Sequence, residues 1–304
     1  MKMTLSRISG WFFMASALSA FASGNNWMTS LDGHWLLSQL SIPGSHDTMA
    51  LYEPFPGTTK CQNLSLAQQL KAGVRFLDIR CRHTNNSFGI YHGRVAQSAS
   101  FDDVIKTCAS FLSSNPGECI VMSVKPEYTP EGNTRSFEQT FDSYVSKNAG
   151  LWHLESDIPA LGAIRGKIIL FRRFAAKSLP KGIDASVWPD NVATFTNRNL
   201  LVEDHYELSD NDTKWKDMTN LLNIAVTGDS ASLYVTFASG FQKSALGISS
   251  IPAVADDING RLAHYFKAHA DGRYGIILMD FADASRCSQI IATNVKRRAA
   301  SRTK

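Results

Sequence analysis

The sequence predicts an α/β protein built as a single irregular (β/α)8 barrel, and three observations carry that prediction. Eight apolar, β-branched runs recur along the chain, with helix-like segments between several of them. Polar or charged side chains recur at the carboxyl ends of almost all of these runs, where parallel barrels assemble their active sites. Finally, 282 residues follow the first 22, too many for one small sandwich and a normal length for one barrel domain.

Residues 1–22 read as an export signal. Lys2 and Arg7 lead, residues 11–18 are apolar, and small residues end in Ala20-Phe21-Ala22, an A-x-A site that places cleavage after Ala22. The run is too short to span a bilayer, and no polar face or cap marks it as a buried helix. The remaining domain, 23–304, is then expected in the periplasm or outside the cell. Losing Lys2 and Arg7 lowers the net charge from +4 to +2. So weak a bias gives no reason to expect nucleic acid and leaves a membrane surface open. Lys296, Arg297, Arg298, Arg302 and Lys304 read as a solvated helix end and tail, with contact to anionic lipid as the secondary reading.

The strand candidates fall at about 38–42, 74–79, 87–91, 119–125, 167–172, 200–205, 233–237 and 275–280. The best helix covers 101–115, where Phe101, Val104, Ile105, Cys108, Phe111 and Leu112 form a stripe behind a Ser100-x-x-Asp103 start. A second covers 253–270 after Pro252 in a first-turn position. Between Arg80 and Phe88 there is no room for a helix, so the barrel is expected to lack one. Cys61, Cys81, Cys108, Cys119 and Cys287 are odd in number and show no C-x-x-C spacing, against the usual structural zinc patterns. Exported, they allow one or two disulfides; buried thiols are at least as well supported, since Cys108 sits on an apolar helix face and Cys119 opens a strand. No internal repeat or linker is visible, and a monomer is expected.

The chemistry gathers at the strand exits. Ser41-Ile42-Pro43-Gly44-Ser45-His46-Asp47 puts a His-Asp pair after an apolar run and a Pro-Gly pair that reads as a turn. In Val74–Arg80, alternation turns Leu77 and Ile79 to the outer face and Asp78 and Arg80 inward. An inward Asp and Arg are costly without partners or a ligand; a structural Asp78–Arg80 ion pair is the plainer alternative. His92 ends the next run, Lys125 and Glu127 share one side of the fourth, and Arg173, Asp204, Tyr206 and Asp280 stand at later exits. Two histidines, two strand-end aspartates and an arginine suit phosphodiester chemistry. One imidazole takes a proton from an attacking hydroxyl, the other gives one to the leaving oxygen, and a guanidinium matches phosphate as charge develops. A metal site is the competing use of these residues, but it wants clustered carboxylates, and Arg80 would repel a cation.

These residues carry a resemblance. Ile42–Asp47, Phe76-Leu77-Asp78-Ile79-Arg80-Cys81-Arg82, Tyr91-His92-Gly93, Met122–Tyr128, Arg165–Arg173, Trp188-Pro189-Asp190-Asn191 and Met279-Asp280 resemble, in order, the motifs of bacterial-type phosphatidylinositol-specific phospholipase C. The resemblance implies a distorted barrel of the phospholipase C-like phosphodiesterase type and a two-stage reaction without metal or other cofactor. By that resemblance, His46 is the general base on the inositol 2-hydroxyl, oriented by Asp280, and His92, paired with Asp47, is the general acid for the departing diacylglycerol. Arg80 binds the phosphate where calcium-dependent relatives use a metal. Lys125, Arg173, Asp204 and Tyr206 line the inositol pocket, Tyr206 by stacking. The expected product is inositol 1,2-cyclic phosphate, slowly opened to inositol 1-phosphate, and the expected partner is phosphatidylinositol, or a glycosyl-phosphatidylinositol anchor, in a membrane touched peripherally.

Departures from the pattern are visible too. The rim segments 53–58 and 239–243 lack tryptophan and offer Phe55 and Phe241 instead, while Pro126 and His205 replace more polar or basic residues. Two other classes stay open on the residues alone: a metal-dependent glycerophosphodiester phosphodiesterase, and a catalytically inert inositol-lipid binding module.

Overall fold

The computed structural model describes residues 25–301, with side chains as far as residue 295. The export signal expected over 1–22, its cleavage after Ala22, and the side chains of Lys296, Arg297, Arg298, Arg302 and Lys304 lie outside the described residues. No helix among those residues is long and apolar enough to cross a membrane.

Fifteen strands are described: β1 (Ser41–Ser45), β2 (Phe76–Thr84), β3 (Ser87–His92), β4 (Val95–Ser100), β5 (Ile120–Pro126), β6 (Trp152–His153), β7 (Ile168–Arg172), β8 (Ile183–Asp184), β9 (Val192–Asn197), β10 (Leu200–Asp204), β11 (Glu207–Leu208), β12 (Leu233–Phe237), β13 (Phe241–Lys243), β14 (Ser249–Ser250) and β15 (Gly275–Met279). Seven of them are parallel neighbours in the order β7-β5-β2-β1-β15-β12-β10, the staves of the irregular α/β barrel. The staves β7, β12 and β15 are buried along their whole length, as a sheet covered on both faces requires.

Six α-helices are described: α1 (Leu66–Ala72), α2 (Phe101–Ser114), α3 (Phe137–Lys147), α4 (Asn211–Thr227), α5 (Pro252–Ala268) and α6 (Ala284–Ser301). Serine caps start three of them. Ser65, Ser100 and Ser136 each accept from the backbone N–H three residues on, and the Gln68, Asp103 or Gln139 side chain answers each. Helix α1 ends on Gly73 at φ 113°, a left-handed position that glycine takes without strain.

The structure revises several sequence expectations. The run at 87–91 is no stave: β3 returns antiparallel along the extended end of β2, so His92 reaches the barrel mouth down a hairpin. The missing helix after Arg80 is therefore this hairpin. Pro43 and Gly44 do not turn the chain; they lie inside β1. The prolyl nitrogen costs nothing there because pairing with β2 begins only at Gly44↔Phe76. A Cβ on Gly44 would meet Leu278 at 3.1 Å and Phe76 at 3.2 Å, so glycine lets β1 sit tightly among its neighbours. Arg75, on the same face as Leu77 and Ile79 by alternation, is fully buried as they are and paired with Glu118 at 2.8 Å. All five cysteines are buried and free.

No described ladder joins β8 to β9 or β10, so the barrel is open along that seam. Trp188 fills it, packing edge-on against Phe171, Phe195 and Phe237.

Candidate active site

The carboxyl ends of the staves surround a cavity of about 390 Å³ lined by His46, Arg80, His92, Lys125, Arg173, Asp204 and Tyr206 among others. All seven of these sequence-predicted residues meet in one place. Asp47 and Asp280, the remaining two, are buried behind the imidazoles.

His46 leaves β1 with its backbone N–H on the Met279 carbonyl, and Gln62 Nε2 donates to both the His46 and Met279 carbonyls, fixing the β1 exit against β15. Its ring is held at both nitrogens: Nδ1 lies 2.8 Å from Asp280 Oδ1 and Nε2 lies 2.7 Å from Arg80 Nη2. A guanidinium only donates, so Nε2 accepts and the proton sits on Nδ1, directed at Asp280. The ring is thus held in the tautomer whose Nε2 lone pair accepts from Arg80 at the edge of the cavity.

His92 is fixed differently. Its Nδ1 lies 2.7 Å from the Thr59 carbonyl, which can only accept, so Nδ1 carries a proton in either charge state. The pairing expected with Asp47 exists at ion-pair distance, 3.6 Å from Oδ2 to Nδ1, while the hydrogen bond proper goes to Thr59. A backbone oxygen on the loop before α1 carries no sequence signal.

Arg80 ties the two halves together. Nε donates to Asp78 Oδ2 at 3.1 Å and Nη1 lies 3.5 Å from Asp47 and 3.9 Å from Glu127. The Asp78–Arg80 ion pair raised as the plainer alternative is present, and Arg80 also lines the cavity. Burial pushes the Asp78 carboxyl up, but the Arg80 charge, with His46 next, outweighs it and holds Asp78 far below the usual carboxylate range. Asp47 goes the other way: burial raises its carboxyl although Arg80 and His92 pull against it. Asp47 itself stands at φ 35°, and its backbone N–H donates to Asp78 Oδ2.

Farther out, Lys125 Nζ pairs with Glu127 at 3.1 Å, and Glu127 accepts from Gly93 N–H at 2.8 Å. Burial, then the nearby Arg80, lowers Lys125; burial lowers Arg173. Arg173 lies over the Trp188 ring at 3.7 Å, and Trp188 Nε1 donates to Asp204 Oδ2 at 2.8 Å. Tyr206 donates to Asp190 Oδ1 at 2.7 Å and is pushed up to about 12 by burial and that bond. Sequence reasoning assigned no role to Glu127 or Trp188, although alternation with Lys125 and the Trp188–Asn191 motif were there to be read. His205 turns away to Asp217 at 2.8 Å and is no part of the cavity.

At the rim, Phe55 is 71% exposed, but Phe241 is half-buried against Tyr206, Ala50, Cys61 and Ile251, so it walls the cavity rather than projecting from it. Leu246 and Ile248, unremarked in the sequence, project from the β13–β14 hairpin at 86% and 56% exposure.

A 1-phosphatidylinositol phosphodiesterase of Staphylococcus aureus (strain Newman) is 33% identical over 296 residues, covering 90% of this chain and 94% of that protein. The family model for the X domain of phosphatidylinositol-specific phospholipase C matches residues 36–174. The chain belongs to the phosphatidylinositol-specific phospholipase C family. The protein of the same description from Listeria monocytogenes is 28% identical over 279 residues, covering 88% and 84%. A solved Staphylococcus aureus phosphatidylinositol-specific phospholipase C, described through the modulation of its membrane binding, superposes with a TM-score of 0.79 at 30% identity, covering 90% and 98%.

Proposed function

We infer that the chain is an exported phosphatidylinositol-specific phospholipase C, a single catalytic barrel over 23–304 that converts phosphatidylinositol to diacylglycerol and inositol 1,2-cyclic phosphate without a metal. The observation that carries this reading is Arg80, whose guanidinium touches His46 Nε2 at 2.7 Å and, through Asp47, links to His92 across the same mouth.

The phosphate enters between the imidazoles and draws Arg80 Nη2 off His46, freeing the lone pair. His46 Nε2 takes the proton of the inositol 2-hydroxyl, and Asp280 stabilises the imidazolium that forms. The oxygen attacks phosphorus on the same sugar ring, so the reaction is intramolecular and its entropy cost is already met. Protonated His92 gives its Nε2 proton to the diacylglycerol oxygen, Thr59 and Asp47 holding the positive ring in place. Arg80 follows the charge on the non-bridging oxygens. In the slower second stage His92 deprotonates water and His46 returns its proton, opening the cyclic ester to inositol 1-phosphate.

Lys125, Arg173 and Asp204 offer donors and an acceptor to the inositol hydroxyls, Asp204 keeping Oδ1 free while Oδ2 holds Trp188. Tyr206 presents its ring face to the sugar. Phe55, Leu246 and Ile248 supply shallow apolar contact with the bilayer, in keeping with a Staphylococcus aureus relative described by its membrane binding. The test is incubation with phosphatidylinositol vesicles in excess chelator, followed by phosphorus NMR. A cyclic phosphate signal is expected; loss of turnover in chelator would instead support a metal-dependent phosphodiesterase, and intact vesicles an inert binding module.

A further inference from the structure

Cys61 lies under the active site between its two halves. It is fully buried, on the loop that also carries the Thr59 carbonyl. Cys61 Sγ, the nearer His92 nitrogen and an Asp47 carboxylate oxygen all lie within 4.8 Å of one another. The two measured edges are shorter: His92 Nδ1 is 3.8 Å from Cys61 Sγ and 3.6 Å from Asp47 Oδ2.

These are the spacings of a ligand set. Tetrahedral zinc bonds of about 2.0–2.3 Å put neighbouring donors roughly 3.4–3.6 Å apart, so the two edges at His92 need a few tenths of an ångström of closure at most, and the Cys61–Asp47 edge closes from within 4.8 Å. Asp47 gives the second, independent sign. Its side chain is wholly buried, and although Arg80 and His92 lie at ion-pair distances of 3.5 and 3.6 Å, neither carboxylate oxygen accepts a hydrogen bond.

We propose that Cys61, His92 and Asp47 form an inhibitory site for a soft or borderline divalent cation of the zinc and cadmium class. Thiolate and carboxylate together balance the ion's two charges. Arg80 keeps Asp78 at 3.1 Å as its own partner when Asp47 turns to the metal. On binding, the Cys61 thiol proton and the Nδ1 proton of the doubly protonated His92 ring leave to water, Nε2 keeps its proton so that the ring binds as a neutral imidazole, and no bond in the substrate changes. A metal on His92 Nδ1 removes the ring that the proposed reaction uses as its acid and takes Asp47 from it, so turnover stops. Calcium and magnesium, which prefer several oxygen ligands, find a thiol and an imidazole beside one carboxylate here. The inference rests on the proposed reaction only for its inhibition arm, since metal binding is read separately by absorbance.

The experiment titrates the purified chain and its Cys61→Ser and Cys61→Ala variants with cadmium, recording the ultraviolet cadmium–thiolate charge-transfer band, and with zinc, recording the rate on phosphatidylinositol vesicles relative to each variant's own metal-free rate. The wild type is expected to develop the band at one equivalent and lose activity in step. Removing a ligand should weaken both responses by no less than the roughly 10–100-fold that loss of an outer-shell partner costs. Circular dichroism selects whichever Cys61 variant is folded, and Cys119→Ser, at another buried thiol, is expected to keep the full response. An undiminished band or undiminished inhibition in the folded Cys61 variant overturns the site, as does equal inhibition by calcium. A band that disappears with Cys61 while vesicle cleavage was never present would retain the metal site and reject the lyase reading.

Discussion

Replacing Asp280 by Asn tests the assignment of His46 as a base whose tautomer is imposed from behind. Asp280 is 1% exposed and accepts from His46 Nδ1 at 2.8 Å, while Arg80 Nη2 occupies Nε2 at 2.7 Å. An asparagine of the same shape can turn its amide N–H toward Nδ1 and favour the tautomer that carries its proton on Nε2. That tautomer faces Arg80 donor to donor and has no lone pair for the substrate. Two costs follow: about 0.5–1.5 kcal/mol for the hydrogen bond that now favours the wrong form, and about 1.5–3 kcal/mol for the lost charge-assisted bond to the imidazolium. Together, about 2–4.5 kcal/mol predicts a kcat loss of roughly 30- to 2000-fold. The assay is steady-state cleavage of phosphatidylinositol vesicles, with KM expected to change little because Asp280 does not reach the cavity. A kcat within about tenfold of the wild type, with unchanged melting, would refute the reasoning.

Three further outcomes are expected. Trp188→Phe keeps an aromatic plug in the seam but removes the 2.8 Å bond to Asp204, so KM should rise about fivefold with kcat nearly unchanged; a fall in kcat alone would contradict its role in shaping the pocket. Phe55→Ser combined with Leu246→Ser should weaken sedimentation with phosphatidylinositol vesicles, each fully inserted apolar side chain being worth about 1.5–3 kcal/mol, and leave cleavage of a soluble short-chain substrate intact. Glu138 accepts from Lys181 Nζ and from two backbone N–H groups. Burial alone would raise it, and those bonds bring it down to about 2 from the ordinary 4.5. A depressed carboxylate stabilises the fold above its unfolded value and loses that contribution as pH falls, so melting temperature should drop between about pH 4.5 and 2, and Glu138→Gln should flatten that slope.

Much of the barrel is legible because its staves are apolar runs ended by charged side chains, and period-2 alternation alone puts Asp78 and Arg80 inside. The hairpin is not legible in the same way. Ser87–His92 alternates like any half-buried strand, and nothing local says that it pairs antiparallel with Cys81–Thr84 instead of closing the barrel. Pro43-Gly44 reads as a turn because the features that keep it extended, the late start of pairing with β2 and the crowding by Phe76 and Leu278, come from distant segments. The cavity residues with side-chain chemistry are found at strand exits. The Thr59 carbonyl, the Cys61 thiol beneath the site and the Trp188 plug depend on how loops cross the mouth, which no periodicity records.

The central claim is that His46 and His92 do opposite jobs, and the most direct measurement separates them by leaving group. His46→Ala and His92→Ala should each lose about 10²–10⁴-fold on phosphatidylinositol. On an inositol phosphate ester of nitrophenol, whose leaving oxygen needs no proton, His92→Ala should recover most of the wild-type rate and His46→Ala almost none. Equal recovery by both variants, or recovery by His46→Ala alone, would contradict the assignment.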